Sequence, residues 1–189
     1  MNNFVIDPEA IAASLPKGSL PPVHLWNPEF CGDIDMCIAR DGTWFHEGRP
    51  IRRQSMVRLF STILRRDDGE YFLVTPAEKL RLKVADAPFV AVAMATHGEG
   101  RDQVLTFRTN VDDEVMAGQE HPIRVDVDAE SEEPSPYVHV RAGLEALISR
   151  PVFYELVELA GEEIIDGETL FGVWSAGRFF PLGDPGEDI

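Results

Sequence analysis

The sequence predicts an α+β protein built from two repeated strand–strand–helix–strand units with antiparallel sheets. Three observations predict this fold: short segments in which apolar and polar residues alternate, two helical stripes of apolar residues, and an internal repeat. Alternation with a period of two is typical of a half-buried strand, whereas apolar residues three and four apart are typical of a helix. A chain of 189 residues can bury one large core or two small ones.

Residues 1–30 predict a short helix followed by an extended arm. Asp7 and Pro8 match the N-cap and the first position of a helix, which ends near Leu15. Residues 16–30 contain four prolines, which favour extended backbone and disfavour a helix.

The first repeat domain is predicted to cover residues 31–85. Ile34, Met36 and Ile38 alternate with polar residues as in a half-buried strand, and Asp41-Gly42 is a hairpin turn signal before a returning strand. Residues 52–66 then carry one apolar stripe, which predicts a helix.

A run of strands is predicted after this helix, with short turns that indicate an antiparallel meander. The predicted strands are residues 71–75, 80–84, 89–95 and 104–109.

The second domain is predicted to cover residues 86–189 and to contain the second repeat. Residues 130–136 are charged and Pro-rich, which indicates a linker or an exposed loop. A strand over 137–141, a helix over 151–160 and a hairpin that turns at Asp166-Gly167 follow.

The internal repeat relates RDGTWFHEGRPI to RAGLEALISRPV without a gap, at an offset of 101 residues. In each copy a glycine permits positive φ in the hairpin turn and a proline suits the first turn of a helix. The same offset aligns residues 71–74 with residues 172–175. The identical pairs are Arg40 with Arg141, Gly42 with Gly143, Arg49 with Arg150, and Pro50 with Pro151.

Charge is distributed unevenly in this chain of formal net charge −16. Residues 111–133 contain nine acids and a single arginine, whereas residues 40–66 contain seven arginines and two acids. The overall charge repels nucleic-acid polymers and anionic membrane surfaces, although a local group of arginines can still hold one small anion.

The chain carries no recognisable signal peptide, and its longest apolar run, 87–95, is too short to span a membrane. These features favour a cytoplasmic protein. Cys31 and Cys37 lack the spacing of a zinc site or a redox pair, so we expect two reduced thiols.

Aromatic and basic residues predict a binding site for a small phosphorylated or nucleotide-like ligand. Arginine binds phosphate through two parallel hydrogen bonds, and tryptophan can stack on a planar base. The predicted site lies in the groove between the two repeats, uses no cofactor and contains no catalytic residue. Its residues are Trp44, His46, Arg52, Arg53, Lys79, Trp174 and Arg178.

Two other functions remain open from the residues alone. The acidic segment 111–136 would suit a protein–protein adaptor that acts through the second half. Asp33 and Asp35 share one strand face and would suit a metal-dependent hydrolase. Ser175 resembles a nucleophile elbow, but the required glycine two residues before it is Val173.

The G-D-I-D block at residues 32–35, the W-F-H-x-G-x-P-I block at 44–51 and the GVWSAGRFFPLG segment resemble a bacterial family catalogued as domain of unknown function 1285. The likeness extends from about Trp26 to Gly183. It implies a two-part α+β protein with duplicated motifs, whose second half is a partly open, pleckstrin-homology-like barrel. It also implies a ligand groove at the domain interface and a role in signalling, without an established activity.

Overall fold

The computed structural model describes residues 20–127 and 133–183. The predicted helix at Asp7 lies outside these residues. The described chain is mostly β-strand with two α-helices, and it separates into two compact units, with the boundary between Pro88 and Phe89. Of its two six-stranded sheets, one curls into a half-barrel.

The first unit contains a six-stranded sheet and one helix, α1 (Gln54–Thr62). The strand order across the sheet is β3-β2-β1-β6-β5-β4. The strands are β1 (Phe30–Ile38), β2 (Trp44–His46), β3 (Arg49–Pro50), β4 (Leu64–Asp67), β5 (Glu70–Val74) and β6 (Lys79–Val84).

The core of this unit lies on one face of the sheet, where α1 packs. Ile38 and Trp44 are paired across β1 and β2, and the ring of Phe60 from α1 stacks on Trp44 with 6.3 Å between centroids. The opposite face is polar: Asp33 on β1 is paired with Arg81 on β6. At the edge of the sheet, the Arg65 guanidinium donates to the carbonyl oxygens of Val23 and Trp26, which attaches the arm that precedes β1.

The second unit contains a six-stranded sheet, a three-stranded sheet and helix α2 (Arg150–Glu158). The strand orders are β10-β11-β12-β7-β8-β9 and β13-β14-β15. The strands are β7 (Phe89–His97), β8 (Val104–Thr109), β9 (Glu114–Met116), β10 (Ile123–Val127), β11 (Pro134–Arg141), β12 (Leu144–Ile148), β13 (Gly161–Ile165), β14 (Glu168–Ser175) and β15 (Arg178–Gly183).

Side chains join the two sheets of the second unit. The buried Ser175 hydroxyl accepts the Leu105 N–H at 2.9 Å and donates to the Ala117 carbonyl at 2.7 Å. The Gln103 side-chain amide donates to the Trp174 carbonyl at 3.0 Å. These bonds place β14 against β8 and β9, and they explain Ser175 as a structural residue.

The prediction of wholly antiparallel sheets is wrong. Each six-stranded sheet contains one parallel pair, β1 with β6 and β12 with β7. In each case the connection between the paired strands is long enough to return the chain in the same direction. The predicted four-strand meander is also divided, because β6 and β7 belong to different sheets.

The predicted helix over 52–66 is too long at both ends. Asp68 and Gly69 both have positive φ, so they form a tight turn that pairs β4 with β5. The hairpin therefore takes Leu64 and the two arginines after it into a strand, although Ile63 and Leu64 stay buried as predicted. Of the predicted loop over 130–136, residues 130–132 lie outside the described residues, and β11 begins at Pro134.

Both halves of the chain contain the order hairpin, helix, three-strand meander, but the predicted gapless register is not kept. The hairpin glycines Gly42 and Gly143 both have positive φ, as predicted, and lie 101 residues apart. After the helices, the equivalent turns Asp68-Gly69 and Asp166-Gly167 lie 98 residues apart. Pro151 lies in the first turn of α2 as predicted, whereas Pro50 lies in β3, before α1 begins.

Candidate functional site

The structure places the seven predicted ligand-binding residues in two different units. The first unit holds Trp44, His46, Arg52, Arg53 and Lys79, and the second holds Trp174 and Arg178.

Trp44 is a core residue of the first unit. Its side chain is 1% exposed and stacks on Phe60, so neither ring face is open to a base from solvent. Its indole Nε1–H has no hydrogen-bond acceptor, and it is the only such buried side-chain atom in the described part of the chain. An unpaired buried donor costs about 1–3 kcal/mol.

Lys79 lies on the polar face of the sheet, away from Trp44. Its ammonium group is 2.7 Å from the Asp67 carboxylate and 4.1 Å from the centre of the Phe72 ring. Asp67 also accepts two hydrogen bonds from Arg65, at 3.0 and 2.7 Å. Burial raises the pKa of Asp67, but the hydrogen bonds and charges of Lys79 and Arg65 outweigh it and lower that pKa below its ordinary value. Lys79 is thus engaged within the fold.

His46, Arg52 and Arg53 are exposed and lie within eight residues of one another in sequence. His46 pairs with Arg49 across the β2–β3 hairpin, whose turn residues Glu47 and Gly48 have positive φ. The backbone then returns beside β2, because the Ile51 N–H donates to the Trp44 carbonyl. Arg52 and Arg53 follow at once and lead into α1.

Within the described residues, the side chains of Arg49, Arg52 and Arg53 form no ion pair or hydrogen bond. Other arginines of the basic segment are engaged: Arg40 pairs with Asp86 at 3.0 Å, and the guanidinium of Arg66 lies over the Tyr71 ring. The basic segment therefore divides into arginines that serve the fold and arginines that do not. We call His46, Arg49, Arg52 and Arg53 the exposed cation cluster.

The start of α1 adds positive potential to this cluster. Arg53 occupies the N-cap position without a capping side chain, and the first turn contains no acidic residue. The first N–H groups of a helix lack intrahelical acceptors, and they carry partial positive charge. Glu47, at the hairpin turn, is the acid nearest in sequence to the cluster. Three members of the cluster were predicted from the sequence as ligand-binding residues. Arg49 was not among them, because it recurs in the second copy as Arg150 and was interpreted as a structural residue.

Asp33, one of the two acids proposed for metal catalysis, is paired with an arginine. The Asp33 carboxylate accepts two hydrogen bonds from Arg81, at 2.6 and 3.2 Å. The Arg81 hydrogen bond is the main cause that lowers the pKa of Asp33. In the described segments 20–127 and 133–183, no group of three or more His, Cys, Asp or Glu residues could hold a metal ion. The geometry thus gives Asp33 a structural partner.

A groove of about 1200 Å³ runs along β1 and β6 in the first unit. Arg81 and Lys83 line it on one side, and Asp33 and Glu70 lie beside Arg81. Both acids form ion pairs with Arg81 and neutralise its charge. Lys83 also lines the groove, and it forms no ion pair with the described residues. Sequence reasoning missed the groove, since it depends on how β1 and β6 pair.

In the second unit, Trp174 lies beside a carboxylate. Its indole N–H donates to Glu163 at 3.2 Å, and its ring lies 5.4 Å from that of Phe179. Arg101 packs over the Trp174 ring and binds Glu163 at 2.8 Å. Arg178 is exposed at the start of β15 and forms no ion pair with the described residues.

No helix among the described residues is long and apolar enough to cross a bilayer.

Comparisons with known proteins identify relatives along most of the chain. Residues 21–87 match the family described as "Domain of unknown function (DUF1285), N-terminal domain", and residues 88–182 match "Protein of unknown function (DUF1285), C-terminal domain". No curated protein sequence matches the chain.

Two solved structures are similar to this chain. A DUF1285 family protein from Silicibacter pomeroyi DSS-3 is 56% identical, with a TM-score of 0.84, over 94% of this chain and 95% of that one. A DUF1285 family protein from Shewanella baltica OS155 is 25% identical, with a TM-score of 0.51, over 66% of this chain and 91% of that one.

Proposed function

Because this chain belongs to the DUF1285 family, for which no activity is described, its function has to be argued from its own residues, and we propose a non-enzymatic module that binds a small phosphorylated or nucleotide-like ligand. The observation that carries this proposal is the exposed cation cluster. Its three arginines lack ion pairs in the described chain, although the protein as a whole is strongly acidic.

The cluster suits a phosphate for three physical reasons. Arginine offers planar, paired donors that match two phosphate oxygens, and such charge-assisted bonds are stronger than neutral ones. The uncapped start of α1 offers backbone N–H groups to the same anion. An unpaired arginine also has no internal ion pair to break when it binds a ligand.

Buried Trp44 and engaged Lys79 are not part of the site that we now propose. His46 is retained, because it lies opposite Arg49 in the hairpin and can donate a hydrogen bond to a phosphate oxygen. The predicted position of the ligand between the two repeats, the signalling role and the pleckstrin-homology-like description of the second half remain proposals.

Titration of the whole protein with pyrophosphate and with ADP, followed by calorimetry at low ionic strength, tests this function. We expect the Arg52→Ala/Arg53→Ala variant to bind at least about tenfold more weakly, which is about 1.4 kcal/mol. The matched control is Arg40→Ala/Arg66→Ala, which removes the same charge from the same segment but from arginines that already have partners.

Equal weakening by the two double variants would mean that only overall charge matters, and the cluster would not be a site. Absence of binding by the unaltered protein to both probes would overturn the proposal. Unchanged thermal midpoints in the Arg52→Ala/Arg53→Ala variant would show that a loss of binding is not a loss of folding.

The adaptor alternative is favoured by one observation, the charge of the second unit. Residues 89–189 contain 21 Asp and Glu residues against 6 Arg and no Lys. Several acids in and near segment 111–136 are paired, however. Asp113 contacts Arg141, and Arg124 binds both Asp126 and Glu145. An adaptor function would therefore use the acids that are present in excess of the arginines. It predicts a protein partner with a basic surface.

A further inference from the structure

The second unit contains a small pocket with aromatic walls beneath its three-stranded sheet. The pocket holds about 180 Å³, roughly the volume of six water molecules. Trp174 and Phe179 supply the rings, and Glu163 supplies a carboxylate that accepts the Trp174 indole N–H. All of its lining residues belong to the second unit, and it shares no residue with the exposed cation cluster.

A glycine brings the aromatic wall close. At Gly172 a Cβ atom would lie 2.2 Å from the Phe180 carbonyl oxygen and 2.8 Å from the Phe179 ring. Any other residue at this position would push β15 away. The absence of a side chain therefore keeps Phe179 beside Trp174, with 5.4 Å between ring centroids.

The charge in this pocket is negative. Glu162 is the neighbour of Glu163 on β13, so its side chain points to the opposite face of the sheet. Glu163 accepts hydrogen bonds from Arg101 and from the Trp174 indole, and a carboxylate with about four acceptor positions can take a further donor. These bonds, that from Arg101 above all, lower the pKa of Glu163, so this carboxylate stays ionised at neutral pH.

One cation already contacts two residues of this pocket, namely the side chain of Arg101. Its guanidinium lies 5.1 Å from the centre of the Trp174 ring and 2.8 Å from Glu163. A cation above an aromatic face and beside a carboxylate is stabilised by both. The Arg101 side chain is nevertheless 70% exposed, so it can leave at small cost.

From this geometry we propose that the pocket formed by Trp174, Phe179 and Glu163 binds a small organic cation, an ammonium or guanidinium group on a short apolar stem, in competition with Arg101. The ring faces take the apolar stem and the cation, and the Glu163 carboxylate selects positive charge. The same carboxylate repels a phosphate. Cations are also drawn to this unit over longer distances by its excess of acids.

The test uses the indole N–H signal of Trp174 in NMR spectra of the full chain, assigned by its loss in Trp174→Phe. The probes are methylguanidinium and tetramethylammonium chloride, each added against the same concentration of sodium chloride. We expect a saturable shift of this signal and not of the indole signals of Trp26 and Trp44. Titration with a short Arg-containing peptide then distinguishes a free cation from a side chain of a protein partner.

Variants separate this site from a general charge effect. Arg101→Ala removes the internal competitor and is expected to tighten binding several-fold, whereas Arg108→Ala removes an exposed arginine elsewhere on the unit and leaves binding unchanged. Glu163→Gln is expected to weaken binding about tenfold, with Glu114→Gln as the matched control.

A linear shift identical to that in sodium chloride would overturn the proposal. Equal affinity of Arg101→Ala and the unaltered protein would do the same. Arg101→Ala keeps the test valid if Glu163→Gln unfolds, because the Arg101 side chain is 70% exposed and does not line the pocket.

Discussion

The two units share an order of elements but differ in charge. Residues 1–88 contain 11 Lys and Arg against 12 Asp and Glu, a net charge of −1, whereas residues 89–189 contain 6 against 21, a net charge of −15. Nearly all of the acidity of the chain thus belongs to one unit. The net charge of a duplicated protein therefore says little about either copy: one unit is nearly neutral and the other is strongly acidic.

One pair of equivalent strands shows this inversion at a single position. Aligned on the turns Asp68-Gly69 and Asp166-Gly167, Arg65 on β4 corresponds to Glu163 on β13. Arg65 donates to Asp67 and to carbonyls of the arm, whereas Glu163 accepts from Arg101 and Trp174. Both units thus contain the same hairpin turn. The side chain at this position is positive in the first unit and negative in the second, and its partners differ.

The units also differ in how their meander strands are held. In the first unit β6 joins β1 through a parallel ladder, so backbone hydrogen bonds complete one sheet. In the second unit the three-stranded sheet is separate, and the Ser175 hydroxyl bridges it to β8 and β9. We therefore expect the substitution of a side chain that joins these strands to lower the stability of the second unit more than a comparable substitution lowers that of the first.

Ser175→Ala has the largest effect that we expect. The change leaves the Leu105 N–H and the Ala117 carbonyl buried without this partner, which should destabilise the second unit by about 2–4 kcal/mol. Thermal unfolding measures the loss, and faster hydrogen exchange at the Leu105 amide locates it. Ser55→Ala, at an exposed serine of the first unit, is the control and should change stability by less than about 0.5 kcal/mol. A Ser175→Ala protein as stable as the control would contradict the bridging role.

A smaller effect compares the tryptophans of the two units. Trp44→Phe removes a buried N–H that has no acceptor, so the relief of about 1–3 kcal/mol offsets the lost packing. We expect its stability to lie within about 1 kcal/mol of the unaltered protein. Trp174→Phe instead removes the hydrogen bond to Glu163 and should cost about 1–2 kcal/mol, although Trp174 is the less buried residue.

Chemical denaturation of both variants tests this ranking. If Trp44→Phe is the more destabilised protein, the packing that the Trp44 indole provides outweighs the relief of its unpaired N–H, and the expected ranking is wrong.

Much of this fold follows from local sequence, because turns and alternation are local signals. Gly42 and Gly143 take positive φ as the hairpin signals predict, and the alternation around Met36 gives the inward face of β1. The parallel pairs were not predictable in this way, since they join strands that lie far apart in sequence. Ile63 and Leu64 fit a helical stripe equally well, and only the pairing of β4 with β5 decides their structure.

The candidate sites divide in the same manner. Arg52 and Arg53 could be selected from sequence because arginine density is visible there. The burial of Trp44 and the meeting of Glu163, Arg101 and Trp174 depend on tertiary packing, and no spacing rule indicates them.

The smallest effects that we expect are changes in the pKa of two carboxyl groups, one in each unit. Lys79 and Arg65 lower the pKa of Asp67 against the opposing effect of burial, and Arg101, followed by Trp174, lowers that of Glu163. Because both pKa values are lower in the folded state, each carboxylate stabilises the fold above the unfolded value of about 4, and this contribution disappears as the pH falls through the folded pKa.

Carbon-detected NMR titration of Lys79→Met should show the pKa of Asp67 raised and that of Glu163 unchanged, whereas Arg101→Ala should raise only the pKa of Glu163. Each variant is thus the control for the other, since its partner acid lies in a different unit. If Arg101→Ala leaves the pKa of Glu163 where it was, then Arg101 does not reside at that carboxylate in solution. Arg101 would then not compete with a ligand for the aromatic pocket. The comparison of Arg65 with Glu163 would in that case be supported only by the equivalent hairpin turns.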